Sequence, residues 1–234
     1  MPADDAQADR QTRVGRIGET WQVRIATWNL EGKWTPRHHW LIRSLRADLL
    51  LLTEVVDTVE VSGHNIHFTE AEMQPGRRWA AVASSARLRP LPDPHGATAL
   101  AEVEGLRIAS SILPWRNSGG APPWTGEDQG SRTAAAVAAI ETAGPIVWGG
   151  DWNHELTGRL FTGSRAGRMS ILGALDRVGL CAPTDASPHR LVGAHSINHV
   201  AVPTFWAVAS VERVSAIVDG VELSDHDAYV VEIE

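Results

Sequence analysis

The chain has 234 residues, of which 43% are hydrophobic and 21% charged, a composition typical of a globular protein. Its 21 basic and 28 acidic residues give a formal net charge of −7, which counts against a protein that coats nucleic acid through a basic surface. The single cysteine, Cys181, excludes an intramolecular disulfide and a zinc site built from several cysteines.

The sequence has no apolar run long enough to span a membrane. Its first 20 residues are polar and lack the apolar segment of a secretory signal. We therefore expect a cytoplasmic protein with a disordered or frayed tail over residues 1–20 and a single domain over residues 21–234.

The first predicted elements are a strand, a helix and a second strand. Apolar residues alternate over 21–30, which favours a strand. A helix is predicted from Pro36, because proline suits a first helical turn and Trp40, Leu41 and Leu45 recur at helical spacing. The segment 48–55, DLLLLTEV, is a continuous apolar run typical of a strand buried on both faces.

The middle of the chain predicts a meander of four shorter strands, separated by turn segments such as MQPGRR. These strands are NIHFTE, WAAVASS, ATALAEVE and LRIASSIL. The segment 113–130 is rich in proline and glycine, and we interpret it as a functional loop.

The last part of the chain alternates between helices and strands. An alanine-rich helix is predicted over 130–144, then the strand PIVWGGD and the helix MSILGALDRVGL, which ends at Gly179. Three further strands are predicted at INHVAVP, VERVSAIV and AYVVEIE. This order predicts an α/β protein with mixed sheets.

Polar side chains end several of these strands. Asn29, Glu54 and Asp151 end three of them, and Asp225 and His226 precede a fourth. Each has a plain structural explanation as a turn, a cap or a solvated acid. However, an acid after four leucines is costly unless it reaches solvent, a partner or a metal. Carboxylate and amide oxygens are the ligands that Mg²⁺ and Mn²⁺ prefer, and a histidine beside them suits activation of water.

Four segments in this order, ATWNL, LLTEV, GGDWN and SDHDAYVVEI, resemble the endonuclease/exonuclease/phosphatase (DNase I-like) superfamily. The resemblance extends from about residue 21 to the last residue. It implies a four-layer α/β sandwich of two packed mixed β-sheets flanked by helices. It also implies a phosphoesterase dependent on Mg²⁺ or Mn²⁺, with Glu54 as the principal metal ligand, assisted by Asn29 and Asp225.

The resemblance also implies the catalytic roles. Asp151 matches the acid that orients or deprotonates the attacking water, and Asn153 matches the amide that donates to a phosphate oxygen. His226 matches the imidazole that contacts the phosphate or activates water. His154 matches no role in the family, so we expect it at the surface or in a cap. The glycine pair before Asp151 is expected to allow a tight exit from the strand.

The chain departs from the family pattern at Asn198, where the family usually has an aspartate that orients the catalytic histidine. An amide can hold the ring of His226 but supplies no charge to stabilise an imidazolium. The equivalent change in serine proteases costs about 10⁴ in rate. We therefore expect weak, pH-shifted or lost activity. The neighbouring His199 is either a substrate contact or, as we expect, a side chain on the opposite face of the strand.

A second departure lies in the loop after LRIASSIL, where many relatives have a histidine or tyrosine. Arg116 is either a phosphate contact, through its forked guanidinium, or a surface arginine. Trp115 and Trp124 of this loop, with Trp34, form either an aromatic wall for a planar substrate group or a hydrophobic lid.

The sequence therefore predicts a divalent-metal-dependent phosphoesterase and leaves its substrate open among DNA, RNA, nucleotides and small phosphoesters. The net charge and the lack of a basic cluster for duplex DNA favour short single strands or small phosphoesters. One alternative is a catalytically weak or inactive family member that serves as a binding module. Another is a metal-free hydrolase that uses Ser224 with His226, although no Gly-x-Ser-x-Gly elbow surrounds that serine.

Overall fold

The computed structural model describes residues 22–234, so the tail predicted over 1–20 lies outside the described residues. The described elements are, in chain order, β1 (Val23–Asn29), α1 (Pro36–Leu45), β2 (Leu49–Val56), β3 (Asn65–Phe68), β4 (Glu72–Gln74), β5 (Arg77–Ser84), β6 (Leu88–Pro90), β7 (Thr98–Val103), β8 (Leu106–Ile112), α2 (Gln129–Ala143), β9 (Val147–Asp151), α3 (Arg165–Val178), β10 (Leu180–Cys181), β11 (Asn198–Pro203), β12 (Val208–Val214), β13 (Ile217–Val218), β14 (Val221–Glu222) and β15 (Ala228–Ile233).

The strands form two large mixed sheets. The first sheet has the order β12-β15-β1-β2-β5-β3, with β4 also paired to β5, and β1 and β2 run parallel within it. The second sheet has the order β10-β11-β9-β8-β7-β6, with β8 and β9 parallel. A small hairpin of β13 and β14 lies outside both sheets. In each large sheet a parallel pair of strands lies next to antiparallel neighbours, which agrees with the predicted α/β protein with mixed sheets.

The four leucines of β2 show how the layers are built. Leu49 and Leu51 lie in the core between the two sheets, whereas Leu50 and Leu52 lie in the cluster beneath α1. Successive side chains of a strand point to opposite faces, so a strand covered on both sides is apolar throughout. The prediction that this strand is buried on both faces is confirmed.

The helices form the two outer layers. In α1, Leu41, Ile42 and Leu45 pack on the first sheet. Apolar residues of α2 and α3 pack on the outer face of the second sheet, against Trp148 and Trp152. The four-layer sandwich is therefore confirmed. Of the helices described over residues 22–234, none is long and apolar enough to cross a membrane.

Several predicted boundaries change. Helix α3 begins at Arg165, with Ser164 as its N-cap, and thus starts before the predicted Met169. The predicted strand VERVSAIV is divided between β12 and β13, and part of the predicted turn segment MQPGRR belongs to β4 and β5. The short strands β6, β10 and β14 carry no signal in the sequence, because strands of two or three residues form only where a partner strand is already in place.

Gly149 and Gly150 lie within β9, so the prediction of a tight exit from the strand there is wrong. A Cβ atom on Gly149 would lie 2.5 Å from the His199 carbonyl oxygen. A Cβ atom on Gly150, whose φ is +125°, would lie 2.1 Å from the Ser111 carbonyl oxygen. The glycines instead allow β9 to approach neighbouring backbone closely.

Candidate active site

The candidate site lies where the carboxyl ends of β1, β2 and β9 meet. The parallel pairing of β1 with β2 places Asn29 opposite Thr53, directly before Glu54. The Asn29 amide nitrogen Nδ2 donates to Glu54 Oε1 at 2.9 Å and to Asp151 Oδ2 at 3.0 Å. Since Asp151 belongs to the second sheet, this buried amide joins the two sheets at the centre of the site.

The orientation of Asn29 determines which of its atoms faces the two acids. Its oxygen Oδ1 accepts the backbone N–H of Glu31 at 2.8 Å, so its nitrogen points to Glu54 and Asp151. Two carboxylates share one neutral donor in this arrangement. Ligation of a metal through the Asn29 oxygen, which remains a prediction, would require the amide to turn.

His226 lies on the other side of Asp151. Its Nδ1 atom is 2.8 Å from Asn198 Nδ2, and its Nε2 atom is 3.8 Å from Asp151 Oδ2 and 3.7 Å from Asp225 Oδ1. The antiparallel register places Asn198 directly opposite Asp151. Residues from β9, β11 and the segment before β15 thus lie together at this end of the sandwich.

The backbone of His226 is fixed by two buried side chains. Trp28 Nε1 donates to the His226 carbonyl oxygen at 2.9 Å, and the Ser224 hydroxyl accepts the His226 N–H at 3.1 Å. The same hydroxyl donates to the Asn29 carbonyl oxygen at 2.7 Å, and Ser224 is fully buried. The alternative in which Ser224 acts as a nucleophile is wrong, because its proton is already used and no substrate can reach it.

Two site residues adopt left-handed backbone conformations, with φ of 51° at Glu54 and 52° at Asn153. Asparagine tolerates this region, whereas glutamate adopts it only where surrounding contacts hold it. The backbone N–H of Asn153 donates to Asp151 Oδ1 at 3.1 Å, and its Nδ2 donates to the Leu113 carbonyl oxygen at 3.0 Å. This hydrogen bond uses one of the two N–H groups of the Asn153 amide.

Arg77, at the start of β5, lies at the site although the sequence did not predict it there. Its Nη2 atom pairs with Glu54 Oε2, and its guanidinium lies over Gly32. Burial lowers the pKa of Arg77, while the charges of Glu31 and Asp225 raise it. No local pattern identifies this residue, because it lies in a turn-like segment far in sequence from each motif.

Glu31 and Lys33 were also missed, although they follow the first motif directly. Lys33 Nζ lies 2.8 Å from Glu31 Oε2, and this hydrogen bond lowers the pKa of Glu31. The same oxygen accepts the Asp225 backbone N–H at 3.1 Å. Glu31 therefore ties the exposed Asp225 to the end of β1.

The three tryptophans considered for an aromatic wall, Trp34, Trp115 and Trp124, do not lie together. Trp115 and Trp124 contact each other and Trp79, with ring centroids 5.4 to 6.5 Å apart. Trp124 is buried, as expected of a hydrophobic lid, whereas Trp115 is half-buried. Trp34 packs in the other outer cluster. Arg116 is exposed in the loop, and its phosphate contact remains a prediction.

Two further histidines are buried. His154 is fully buried, so its predicted surface or cap position is wrong; its Nδ1 atom lies 2.8 Å from the Trp152 carbonyl oxygen. His199 contacts the Trp152 ring on the face of β11 away from His226, as predicted. Burial lowers the pKa of His199 to about 4.

The donor types at the site fit a hard divalent cation. As the side chains stand, no group of three or more His, Cys, Asp or Glu within residues 22–234 is arranged to hold a metal ion. Yet the carboxylates of Glu54 and Asp225 are oxygen donors of the kind that Mg²⁺ and Mn²⁺ prefer. Arg77 already supplies one positive charge beside Glu54.

No protein-family model matches the sequence, and a search of curated proteins finds no match. Solved structures do match. The fold is similar to an endonuclease/exonuclease/phosphatase from Beutenbergia cavernae, with 15% identity, a TM-score of 0.62, and coverage of 91% of this chain and 71% of that chain. It is also similar to the AP endonuclease LMAP from Leishmania major, with 16% identity, a TM-score of 0.65, and 91% and 88% coverage. The human Nocturnin catalytic domain with bound sulfate matches with 16% identity, a TM-score of 0.59, and 91% and 93% coverage. The chain therefore has the DNase I-like fold, which confirms the predicted fold.

Proposed function

We propose that this chain, which has the DNase I-like fold, is a hydrolase that cleaves a phosphoester with the help of Mg²⁺ or Mn²⁺. One observation carries the proposal: at one end of the sandwich the Asn29 amide donates to both Glu54 and Asp151, and His226, from a third distant part of the sequence, lies 3.8 Å from Asp151. Such titratable groups are costly to bring together without a functional reason.

The solved structures add support of a different kind. Two similar chains are described as an AP endonuclease and as an endonuclease/exonuclease/phosphatase. The third carries a bound sulfate, an anion with the tetrahedral shape of phosphate. Fold alone does not fix function, so the proposal rests on the site residues of this chain.

The metal would be held by Glu54 and Asp225, with Asn29 assisting. When bound, such an ion stabilises charge on a phosphoryl oxygen and lowers the pKa of bound water. The exposure of the two acids agrees with metal binding at the edge of the site. The Glu54 side chain is mostly buried, whereas the Asp225 side chain is 68% exposed to solvent.

The remaining residues would act on water and phosphate directly. Asp151 would accept a hydrogen bond from the attacking water and orient it. Asn153 would donate its free N–H to a phosphate oxygen as charge builds in the transition state. His226, held by Asn198, would donate from Nε2 to the phosphate or the leaving group.

The substrate that fits best is a short single-stranded nucleic acid or a small phosphodiester. The net charge of −7 disfavours tight binding of a long polyanion, since such binding depends on many basic contacts. The half-buried Trp115 offers a surface on which a base can stack, and the adjacent Arg116 offers a charge for a phosphate.

A second candidate is a binding module that retains the fold with little turnover. Asn198 favours it, because the amide that contacts His226 supplies no charge to stabilise an imidazolium. Such a module would bind a phosphoester without hydrolysing it.

One set of assays separates the two candidates. Purified protein would be incubated with Mg²⁺, Mn²⁺ or EDTA and plasmid DNA, short single-stranded DNA or RNA, bis-p-nitrophenyl phosphate or p-nitrophenyl phosphate. Glu54→Gln would be compared with Glu72→Gln, which alters an exposed acid on β4. We expect turnover that requires metal and falls at least about 100-fold in Glu54→Gln only. Binding without turnover under every condition would favour the module.

A further inference from the structure

We propose that Arg77 is a built-in competitor of the divalent metal: its guanidinium occupies the cation position beside Glu54 and must withdraw before the metal binds. The inference rests on the proposed function, because it concerns the same acidic site. It assigns to Arg77 a control over metal affinity that no motif of the sequence indicates.

Both oxygens of the Glu54 carboxylate are already used. Oxygen Oε1 accepts from Asn29 Nδ2 at 2.9 Å, and oxygen Oε2 pairs with Arg77 Nη2. The carboxylate is only 22% exposed, so few of its lone pairs face open space. A metal ion that approaches Oε2 would meet a guanidinium of like charge, which lies within hydrogen-bond reach of the same oxygen.

Arg77 lies close to Glu54 across the two paired strands. In the antiparallel pairing of β2 with β5, Arg77 lies opposite Val56, which is two residues beyond Glu54 on β2. A cross-strand neighbour at this offset is within reach of a long side chain. The pairing of the strands therefore brings the Arg77 guanidinium within reach of Glu54.

The Arg77 guanidinium occupies the space beside Gly32. A Cβ atom on Gly32 would lie 2.5 Å from Arg77 Nε and 2.6 Å from Cζ, and Gly32 has a φ of +64°. A side chain on this residue would therefore collide with the guanidinium. The turn that follows the first motif, ATWNL, thus contains a glycine that leaves room for Arg77.

The Arg77 guanidinium does not find partners for all of its donors in this position. Atom Nε is buried and has no hydrogen-bond partner among the residues that the structure describes. A buried donor without a partner carries a desolvation cost, which the guanidinium recovers by moving to water. The arginine is thus held by charge from Glu54, Glu31 and Asp225, and a divalent ion satisfies the same acids with twice the charge.

The neighbouring Arg78 provides a matched control. Successive residues of a strand face opposite ways, and Arg78 pairs with Asp57 at 2.8 Å and with Glu72 at 3.4 Å on the other side of β5. Replacing Arg78 removes the same charge and the same number of atoms from the same strand, without touching Glu54.

The test is Mn²⁺ binding to the purified full chain, measured by titration calorimetry and by the electron paramagnetic resonance signal of free Mn²⁺. We expect Arg77→Met to bind Mn²⁺ at least tenfold more tightly than wild type, and Arg78→Met to remain within threefold of wild type. In EDTA, Arg77→Met should melt below wild type, because the acids lose their cation. Saturating Mn²⁺ should raise its melting temperature by more than that of wild type.

Equal or weaker Mn²⁺ binding by Arg77→Met would overturn the inference. If this variant does not fold, Arg77→Gln takes its place, since glutamine keeps a donor near Glu54 without the charge, and the same tenfold criterion applies. Failure here is distinct from failure of the proposed function. Metal-dependent turnover by wild type with unchanged Mn²⁺ affinity in Arg77→Met would overturn the competition alone. Tighter Mn²⁺ binding by Arg77→Met without turnover by any variant would support the competition and argue against the hydrolase.

Discussion

The amide nitrogen of Asn198 lies 2.8 Å from Nδ1 of His226. In this orientation of the amide its N–H donates to Nδ1, and the ring proton is then on Nε2, on the side of Asp151 and Asp225. With the amide turned, its oxygen would instead accept the Nδ1 proton. An aspartate in place of Asn198 would accept the Nδ1 proton and leave the lone pair on Nε2.

The variant Asn198→Asp should hydrolyse a phosphodiester faster than wild type, by about tenfold or more. A carboxylate both orients the ring and stabilises the imidazolium, and loss of such a carboxylate costs about 10⁴ in serine proteases. The measurement is kcat across pH 5 to 9 with bis-p-nitrophenyl phosphate. Asn198→Ala, which cannot orient the ring, serves as the control and should be slower than wild type. A rate for Asn198→Asp equal to or below that of wild type would show that the missing carboxylate does not limit the enzyme.

The variant Asn153→Asp should reduce kcat by about 10² to 10³, because it replaces a donor to the phosphate with a negative charge. Aspartate tolerates the left-handed backbone at this position, so the fold should persist. A matched control is Asn65→Asp, since Asn65 Nδ2 also donates to a carbonyl oxygen, that of Ala86, but from an exposed edge strand. If both variants retain wild-type kcat, Asn153 does not contact the phosphate.

The variant Gly150→Ala should destabilise the protein by about 3 kcal/mol or prevent folding. Its Cβ atom would lie 2.1 Å from the Ser111 carbonyl oxygen, so β8 and β9 would have to separate. Gly63→Ala isolates the backbone contribution, because Gly63 has a φ of +79° and no atom within 4 Å of an added Cβ. The control should cost only about 1 kcal/mol. Urea denaturation monitored by tryptophan fluorescence compares them, and equal losses would mean that crowding at Gly150 is relieved elsewhere.

The free energy of unfolding should decrease as the pH falls from about 6.5 toward 4. Burial lowers the pKa of His199 from its usual 6.5 to about 4, so within this window the unfolded chain binds a proton that the folded chain does not. The stability that the protein has while His199 is neutral is fully present above pH 6.5. As the pH falls toward 4, the free energy of unfolding decreases by roughly 3 kcal/mol because of this one group. Burial also lowers the pKa of His38, His95 and His154, in the same direction.

The measurement is urea denaturation at pH 7 and pH 4.5 for wild type and His199→Gln. Glutamine cannot titrate, so the variant should lose less stability between the two pH values than wild type. An identical loss in both proteins would assign the pH dependence to other groups.

The sequence by itself determined the layers of this protein, because each layer follows from a local pattern. Leu49 to Leu52 are apolar without interruption, which is sufficient to place β2 between two covering layers. Proline at the start of α1 and Gly179 after α3 limit those helices through backbone geometry alone. The order of the four motifs was also sufficient to predict the fold.

Only the tertiary structure decided how the site is held and charged. Arg77 reaches Glu54 through the register of β2 and β5, and register depends on how whole strands pair. His154 is buried because Gly163 and Gly167 pack against its ring, a contact made when α3 folds onto the loop after β9. The direction of the Asn29 amide depends on Glu31 and Asp151 together. Local periodicity reports which face of an element is covered, whereas an ion pair or a shared proton depends on atoms brought together from distant parts of the chain.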